Sequence, residues 1–119
     1  MPGQSFPKAA RLLVRADFDA VFALKRNISD RRLVIFWREN TLGHARLGLA
    51  VSTAFGNAVK RNKFKRRLRE LFRKSELSAV DLVVMPARHG EAKSAGFDEL
   101  AQSWAKLTAK LGEREGAKS

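Results

Sequence analysis

The chain has 119 residues, of which 45% are hydrophobic, and this length and composition are typical of one globular domain that buries its own core. It contains no cysteine, which excludes disulfides and thiolate metal sites and suits a reducing cytoplasm, and no apolar run approaches the ~18 residues of a membrane span. With 24 Lys+Arg against 12 Asp+Glu, the formal net charge of +12 indicates an anionic partner, most often a nucleic acid.

The first half of the chain predicts one helix followed by strands. Asp17 has the chemistry of an N-cap, and the helix that it begins is expected to end near Leu24. LVIFW at residues 33–37 is rich in β-branched and aromatic residues and predicts a strand, and the polar NTLGH after it predicts a turn. ARLGLAVS at residues 45–52 alternates and predicts a second strand.

The second half predicts a basic helix, a strand and a final helix. The apolar VDLVVM at residues 80–85 predicts the strand, stopped by Pro86, and residues 97–111 form an amphipathic helix. Its apolar stripe comprises Phe97, Leu100, Trp104, Leu107 and Leu111. The order is helix, two or three strands, basic helix, strand and helix, which is αβββαβα when three strands are counted. It indicates an α+β fold, a two-layer α/β sandwich of one domain over residues 1–119. The ordered core is expected at about residues 10–111, with loose tails at 1–8 and 112–119.

Positive charge is concentrated in the predicted helix within residues 57–77. This stretch holds nine bases and only two acids, Glu70 and Glu76, so it contributes +7 of the total +12. At ~100° per residue, Phe64, Leu68 and Leu71 share the stripe that should pack on the sheet. The opposite stripe comprises Asn62, Arg66, Arg69 and Arg73. Like charges one turn apart repel, so we expect an anion to bind this helix rather than water alone.

The second strand has one face of small residues, Gly48, Ala50 and Ser52, which predicts a shallow floor. A single strand of nucleic acid can lie on such a floor when aromatic rings border it. The candidate rings are Phe18, Phe22 and Phe36, the last opposite in phase to the other apolar residues of its strand. From periodicity alone, packing in the core is the more common fate of these rings.

Several of these segments together resemble the bacterial ribonuclease P protein family. They are RLLVRADFDAVF, ARLGLAVS, GNAVKRNKFKRRLRE, DLVVM and the last amphipathic helix, in that order over roughly residues 10–110. The resemblance implies that the basic helix joins two strands in a left-handed βαβ crossover. It also implies that the protein is not itself the catalyst. Proteins of this family bind a large catalytic RNA, which cleaves with Mg²⁺ held mainly by RNA, and the single-stranded 5′ leader of precursor tRNA.

The resemblance and the helix phase assign individual residues. The expected RNA contacts are Asn57, Arg61, Asn62, Lys63, Lys65, Arg66, Arg69 and Arg73, and the expected leader cleft comprises Phe18, Phe22, Phe36, Ser52 and Arg46. Lys63 stands where the family commonly has arginine, and Thr53 and Ala54 stand where it often has two lysines. Arg46 and Arg88 are the candidates to compensate for that missing charge. The protein alone is expected to be a monomer in the cytoplasm.

Three other functions are alternatives to this one. An independent nuclease needs a carboxylate cluster or an acid/base pair, whereas this chain offers only His44 and His89, both in predicted turns. A membrane-surface helix is disfavoured because the apolar stripe of the basic helix is narrow and needed for the core. A DNA-binding module, or one associated with the ribosome or nucleoid, stays open on composition alone.

Overall fold

A computed structural model describes residues 10–12, 14–88, 92 and 95–117, with side chains as far as residue 112. It contains three α-helices and four strands in the predicted order αβββαβα, which confirms the α+β class. The elements are α1 (Arg15–Ala23), β1 (Asn27–Ser29), β2 (Leu33–Glu39), β3 (Arg46–Leu49), α2 (Ala58–Arg73), β4 (Val80–Pro86) and α3 (Phe97–Ala117), with one 3-10 turn at Thr53–Phe55.

The four strands form one sheet in the order β1-β2-β4-β3. β2 pairs antiparallel with both β1 and β4, whereas β3 pairs parallel with β4, so that β3, α2 and β4 make a βαβ unit of neighbouring strands. The left hand of this crossover stays a prediction from the family resemblance. Because β4 is central, its side chains are buried on both faces of the sheet, as its continuous apolar run indicates.

One face of the sheet packs on α2 and α3 and forms the main core. The predicted stripe of α2 is confirmed, since Phe64, Leu68 and Leu71 are buried there, together with Phe72. The predicted stripe of α3 is confirmed from Leu100 to Leu111, and Phe97 packs against its edge. The strands supply Leu33, Ile35, Trp37, Leu47, Leu82 and Val84 to the same cluster.

The other face of the sheet is crossed by α1. Val21 of α1 is fully buried against Val83 of β4 and Leu12, and Phe18, Phe22 and Phe36 pack around them, half-buried. The predicted phase of Phe36, opposite to the core residues of β2, is therefore confirmed. Aromatic side chains that are only partly covered keep a surface available to a ligand.

The boundaries of several elements differ from the prediction. Asp17 is not the N-cap of α1, because the helix begins earlier with Val14 as a cap that makes no side-chain hydrogen bond. Asp17 lies instead in the first turn, where its carboxylate reaches the sheet. β3 is shorter than the predicted strand, and α3 continues to Ala117, into the predicted tail. The predicted tail at 1–8, residues 118–119 and His89 lie outside the described residues.

Asp30 organises the turn between β1 and β2. Its Oδ1 accepts hydrogen bonds from the backbone N–H groups of Arg32 (2.8 Å) and Leu33 (2.9 Å), and its Oδ2 lies 3.3 Å from Nζ of Lys106 on α3. Burial raises the pKa of Asp30, but these bonds and one with Ser103 outweigh burial and lower the pKa to about 2.

Within the part of the chain that the structure describes, no helix combines the length and the apolarity needed to cross a membrane.

Candidate nucleic-acid interface

Helix α2 begins at a well-formed cap and turns its cationic side away from the core. Asn57 is the N-cap, and its Oδ1 accepts a hydrogen bond from the backbone N–H of Lys60 at 3.0 Å. Nε of Arg61 donates to the carbonyl of Gly56 at 3.2 Å, which secures the same end. Opposite the buried stripe, Asn62, Arg66 and Arg69 are exposed, as the helix phase predicts.

The two ends of α2 differ in how their charge is balanced. At the C-terminal end, Glu70 lies 2.7 Å from Nη2 of Arg73 and 3.3 Å from Nζ of Lys74. The pKa of Glu70 is lowered, mainly by the hydrogen bond from Arg73 and next by the one from Lys74, so this carboxylate stays ionised. The predicted RNA contact Arg73 is thus already bound to a carboxylate within its own helix.

Within the described residues, the remaining cations of α2 have no such acid. Of the nine bases in residues 57–77, Arg73 and Lys74 pair with Glu70, and among the described residues no ion pair joins the other seven to a carboxylate. These seven, which we call the unpaired cations, are Lys60, Arg61, Lys63, Lys65, Arg66, Arg67 and Arg69. Unbalanced like charges along three helical turns repel one another, so binding of a polyanion stabilises this surface.

The three predicted aromatic residues gather on the α1 face of the sheet. The rings of Phe22 and Phe36 meet edge to face, with centroids 5.0 Å apart and an interplanar angle of 78°. Phe18 lies over Gly48 so closely that a Cβ at that position would stand 2.7 Å from Cζ of the ring. The predicted open floor is therefore partly wrong, because Phe18 covers Gly48, while Ser52 remains exposed beyond it.

A groove of about 140 Å³ connects the aromatic face with α2. It is lined by Phe18 of α1, by Leu47 and Leu49 of β3, and by Lys65 and Arg69 of α2. Residues 10–12 run beside β3, where the backbone N–H of Leu12 donates to the carbonyl of Leu47 at 3.0 Å, and this brings Arg11 to the same groove. The predicted RNA-contact helix and the predicted leader cleft thus form one continuous surface. The position of Arg11 in this groove was not predicted, since no local sequence pattern marks it.

Arg46 has a different environment from the one predicted. Its Nε and Nη2 donate to Oδ1 and Oδ2 of Asp81 at 2.9 and 2.8 Å, and its Nη1 lies 3.6 Å from Oδ2 of Asp17. The hydrogen bond to Asp81 raises the pKa of Arg46. Because two acids balance its charge, Arg46 does not replace the missing leader-side lysines as an unpaired cation. Arg88 is exposed and retains that candidate role.

Asp81 is a second residue of this region, after Arg11, that sequence reasoning missed. It is fully buried, and burial raises its pKa, but hydrogen bonds from Arg46, Asn40 and Arg38 outweigh burial and hold the pKa below its usual value. A signal existed, because an aspartate inside the apolar run VDLVVM must find partners if the strand is central.

Histidine and carboxylate side chains do not cluster in the part of the chain that the structure describes. His44 lies exposed in the turn between β2 and β3. Among these residues, no three His, Asp or Glu side chains group in a way that could hold a metal ion.

Comparisons with known proteins identify the family. The sequence profile of the family described as Ribonuclease P matches residues 6–112. A ribonuclease P protein component from Legionella pneumophila (strain Lens) is 44% identical over 112 residues, which cover 91% of this chain and 97% of the relative.

Solved structures agree with the sequence relatives. The RNase P protein of Staphylococcus aureus superposes with a TM-score of 0.78 at 34% identity, covering 88% of this chain and 96% of the other. The RNase P protein of Thermotoga maritima gives a TM-score of 0.76 at 30% identity, covering 84% and 96%. The chain described above belongs to the ribonuclease P protein component family, the protein subunit of an RNA-based endoribonuclease.

Proposed function

We propose that the unpaired cations of α2 bind phosphates of the catalytic RNA and that the α1 face of the sheet binds the 5′ leader of precursor tRNA. The observation that carries the first part is the absence, among the described residues, of any acid paired with seven consecutive cations of α2. Arginine adds planar, bidentate recognition of phosphate, which favours Arg66 and Arg69 as the strongest contacts.

Leader binding is supported by half-buried rings beside a cationic groove. Phe22 and Phe36 keep part of each ring exposed, and the groove at Phe18 is bordered by Lys65 and Arg69. Bases stack on aromatic rings whatever their identity, and cations hold the phosphates between them, so such a surface takes unpaired nucleotides with little regard to sequence.

The remaining assignments follow from the family and from charge. Mg²⁺ is held mainly by the RNA and supplies the hydrolytic chemistry there, while this chain binds and orients the RNA strands. The protein alone is a monomer, because a net charge of +12 opposes association of identical chains. It acts in the cytoplasm, a reducing compartment that suits a chain without cysteine.

Reconstitution tests the proposed function as a whole. Purified protein is added to a catalytic RNA of bacterial ribonuclease P, and cleavage of precursor tRNA is followed at low Mg²⁺. The protein is expected to restore cleavage between the leader and the mature 5′ end, and protein without RNA is expected to cleave nothing. Cleavage by the protein alone, or no stimulation of the RNA, contradicts the proposal.

Phe36→Ala tests the leader site within the reconstituted enzyme. Stacking is worth ~1–3 kcal/mol per base, so affinity for precursor tRNA should fall roughly tenfold while affinity for mature tRNA, which has no leader, stays near the wild-type value. Phe55→Ala is the matched control. Phe55 is also half-buried, but its ring packs on the other face of the sheet, with its centroid 5.1 Å from that of Phe64. If both variants lose the same affinity for precursor tRNA, Phe36 acts only as a core residue.

A further inference from the structure

Asp81 organises two arginines beneath α1. Its Oδ1 accepts from Nε of Arg46 (2.9 Å) and from Nδ2 of Asn40 (2.8 Å), and its Oδ2 accepts from Nη2 of Arg46 (2.8 Å) and Nε of Arg38 (3.0 Å). The carboxylate is fully buried in the central strand, so both guanidinium groups are held from below in fixed positions.

A second carboxylate meets the same arginines from above. Asp17 of α1 places Oδ1 3.5 Å from Nη2 of Arg38 and Oδ2 3.6 Å from Nη1 of Arg46, and its side chain is 30% exposed. Each arginine thus bridges the buried Asp81 and the helix above it. Two cations and two anions balance within this cluster, which we call the arginine bridge: Asp17, Arg38, Arg46 and Asp81.

Apart from the arginine bridge, α1 is held by apolar contacts. The helix has nine residues, no side-chain hydrogen bond at its N-cap, and one fully buried side chain, Val21. An apolar contact of this kind is non-directional and tolerates small rotations of the helix. Asp17 instead pairs with two arginines that hydrogen bonds to Asp81 hold in place, so α1 is tied to two defined points of the sheet and such rotations are opposed.

Small movements of α1 matter because Phe18 follows Asp17 directly. The ring of Phe18 lies over Gly48 and leaves no room for a side chain at that position, and it lines the groove that Lys65 and Arg69 border. A rotation of α1 therefore moves this wall relative to the cations of α2. Phe22, one turn along, moves with it relative to Phe36.

We infer that the arginine bridge is a positioning device that sets α1 so that Phe18 and Phe22 present their rings to the leader. This inference rests on the proposed leader site and assigns no direct RNA contact to Asp17, Arg38, Arg46 or Asp81. It also gives Arg46 a role in place of the phosphate contact that its charge alone had indicated.

Asp17→Asn tests the inference, with Asp19→Asn as the matched control. Both changes remove one negative charge from α1, but Asp19 is 66% exposed, and its one ion pair within the described residues is with Arg15, at 3.9 Å. Affinities of the reconstituted enzyme are measured for precursor tRNA and for mature tRNA, and thermal melts report the fold. Asp17→Asn should reduce the precursor-to-mature affinity ratio roughly threefold to tenfold, the range that two partly exposed ion pairs support. Asp19→Asn should leave the ratio unchanged.

The outcomes separate this inference from the proposed function. If the wild-type enzyme prefers precursor tRNA and Asp17→Asn keeps that preference in full, the positioning role is wrong and the leader site stands. If Asp17→Asn binds precursor tRNA more tightly than Asp19→Asn does, Asp17 shields the arginines from phosphate instead, which also overturns the inference. If the wild-type enzyme shows no preference for the leader, both are wrong.

Discussion

Two arginines on one stripe of α2 allow the electrostatic proposal to be tested with equal changes of charge. Arg66 is exposed and has no acidic partner among the described residues, whereas Nη2 of Arg73 lies 2.7 and 2.8 Å from the two oxygens of Glu70. Replacement of either by glutamine removes one positive charge and leaves the buried stripe intact. Only Arg66→Gln should remove a phosphate contact.

The magnitude follows from counterion release. Each phosphate that a cation neutralises contributes about 0.7–0.9 to the slope of log K against log salt concentration. If most of the unpaired cations each bind one phosphate, the wild-type slope has a magnitude of about 4 to 6. Arg66→Gln should lower it by about 0.7–0.9, so that a tenfold rise in salt weakens the variant about fivefold to eightfold less than the wild type.

The assay is binding of the protein to the catalytic RNA, measured over a series of potassium chloride concentrations with no tRNA present. Arg73→Gln should change the slope far less than Arg66→Gln, because Glu70 already holds the guanidinium of Arg73 and keeps Lys74 as a partner when Arg73 is removed. Equal changes of slope in the two variants would refute the reasoning, as would a wild-type affinity that does not depend on salt.

Three further changes probe the core, the cleft and the acid limit of stability. Leu68→Ala should cost about 2–5 kcal/mol of unfolding free energy, since the side chain is fully buried and leaves a cavity, and a chemical denaturation curve measures this. Gly48→Ala should displace Phe18 and reduce affinity for precursor tRNA but not for mature tRNA; equal losses for both would contradict the close contact. The carboxylate of Asp30 has its pKa lowered to about 2 in the folded protein, against about 4 in the unfolded chain. This difference contributes about 2 kcal/mol to the free energy of unfolding above pH 4, and the contribution is lost as pH falls from about 4 to 2. The stability difference between wild type and Asp30→Asn should therefore shrink over that interval, and a constant difference from pH 7 to pH 2 would be inconsistent with the lowered pKa.

The sequence by itself determined the element order, the core stripes and the location of the charge. Helical phase in α2 follows from residues three and four apart, so the burial of Phe64 and Leu68 and the exposure of Arg66 were both predictable. The same local periodicity set Phe36 opposite to its neighbours in β2. The family resemblance added the function, since composition alone did not exclude a DNA partner.

Tertiary structure alone decided which charges are free and which are balanced. Arg46 and Asp81 stand opposite each other because β3 and β4 pair in parallel in that register, and Asp17 reaches them only because α1 crosses this face of the sheet. The cover of Phe18 over Gly48 depends on the same crossing. These contacts join residues far apart in the chain, whereas periodicity reports only neighbours within a turn or along one strand, so no local pattern could have separated the bridging arginine from the unpaired cations of α2.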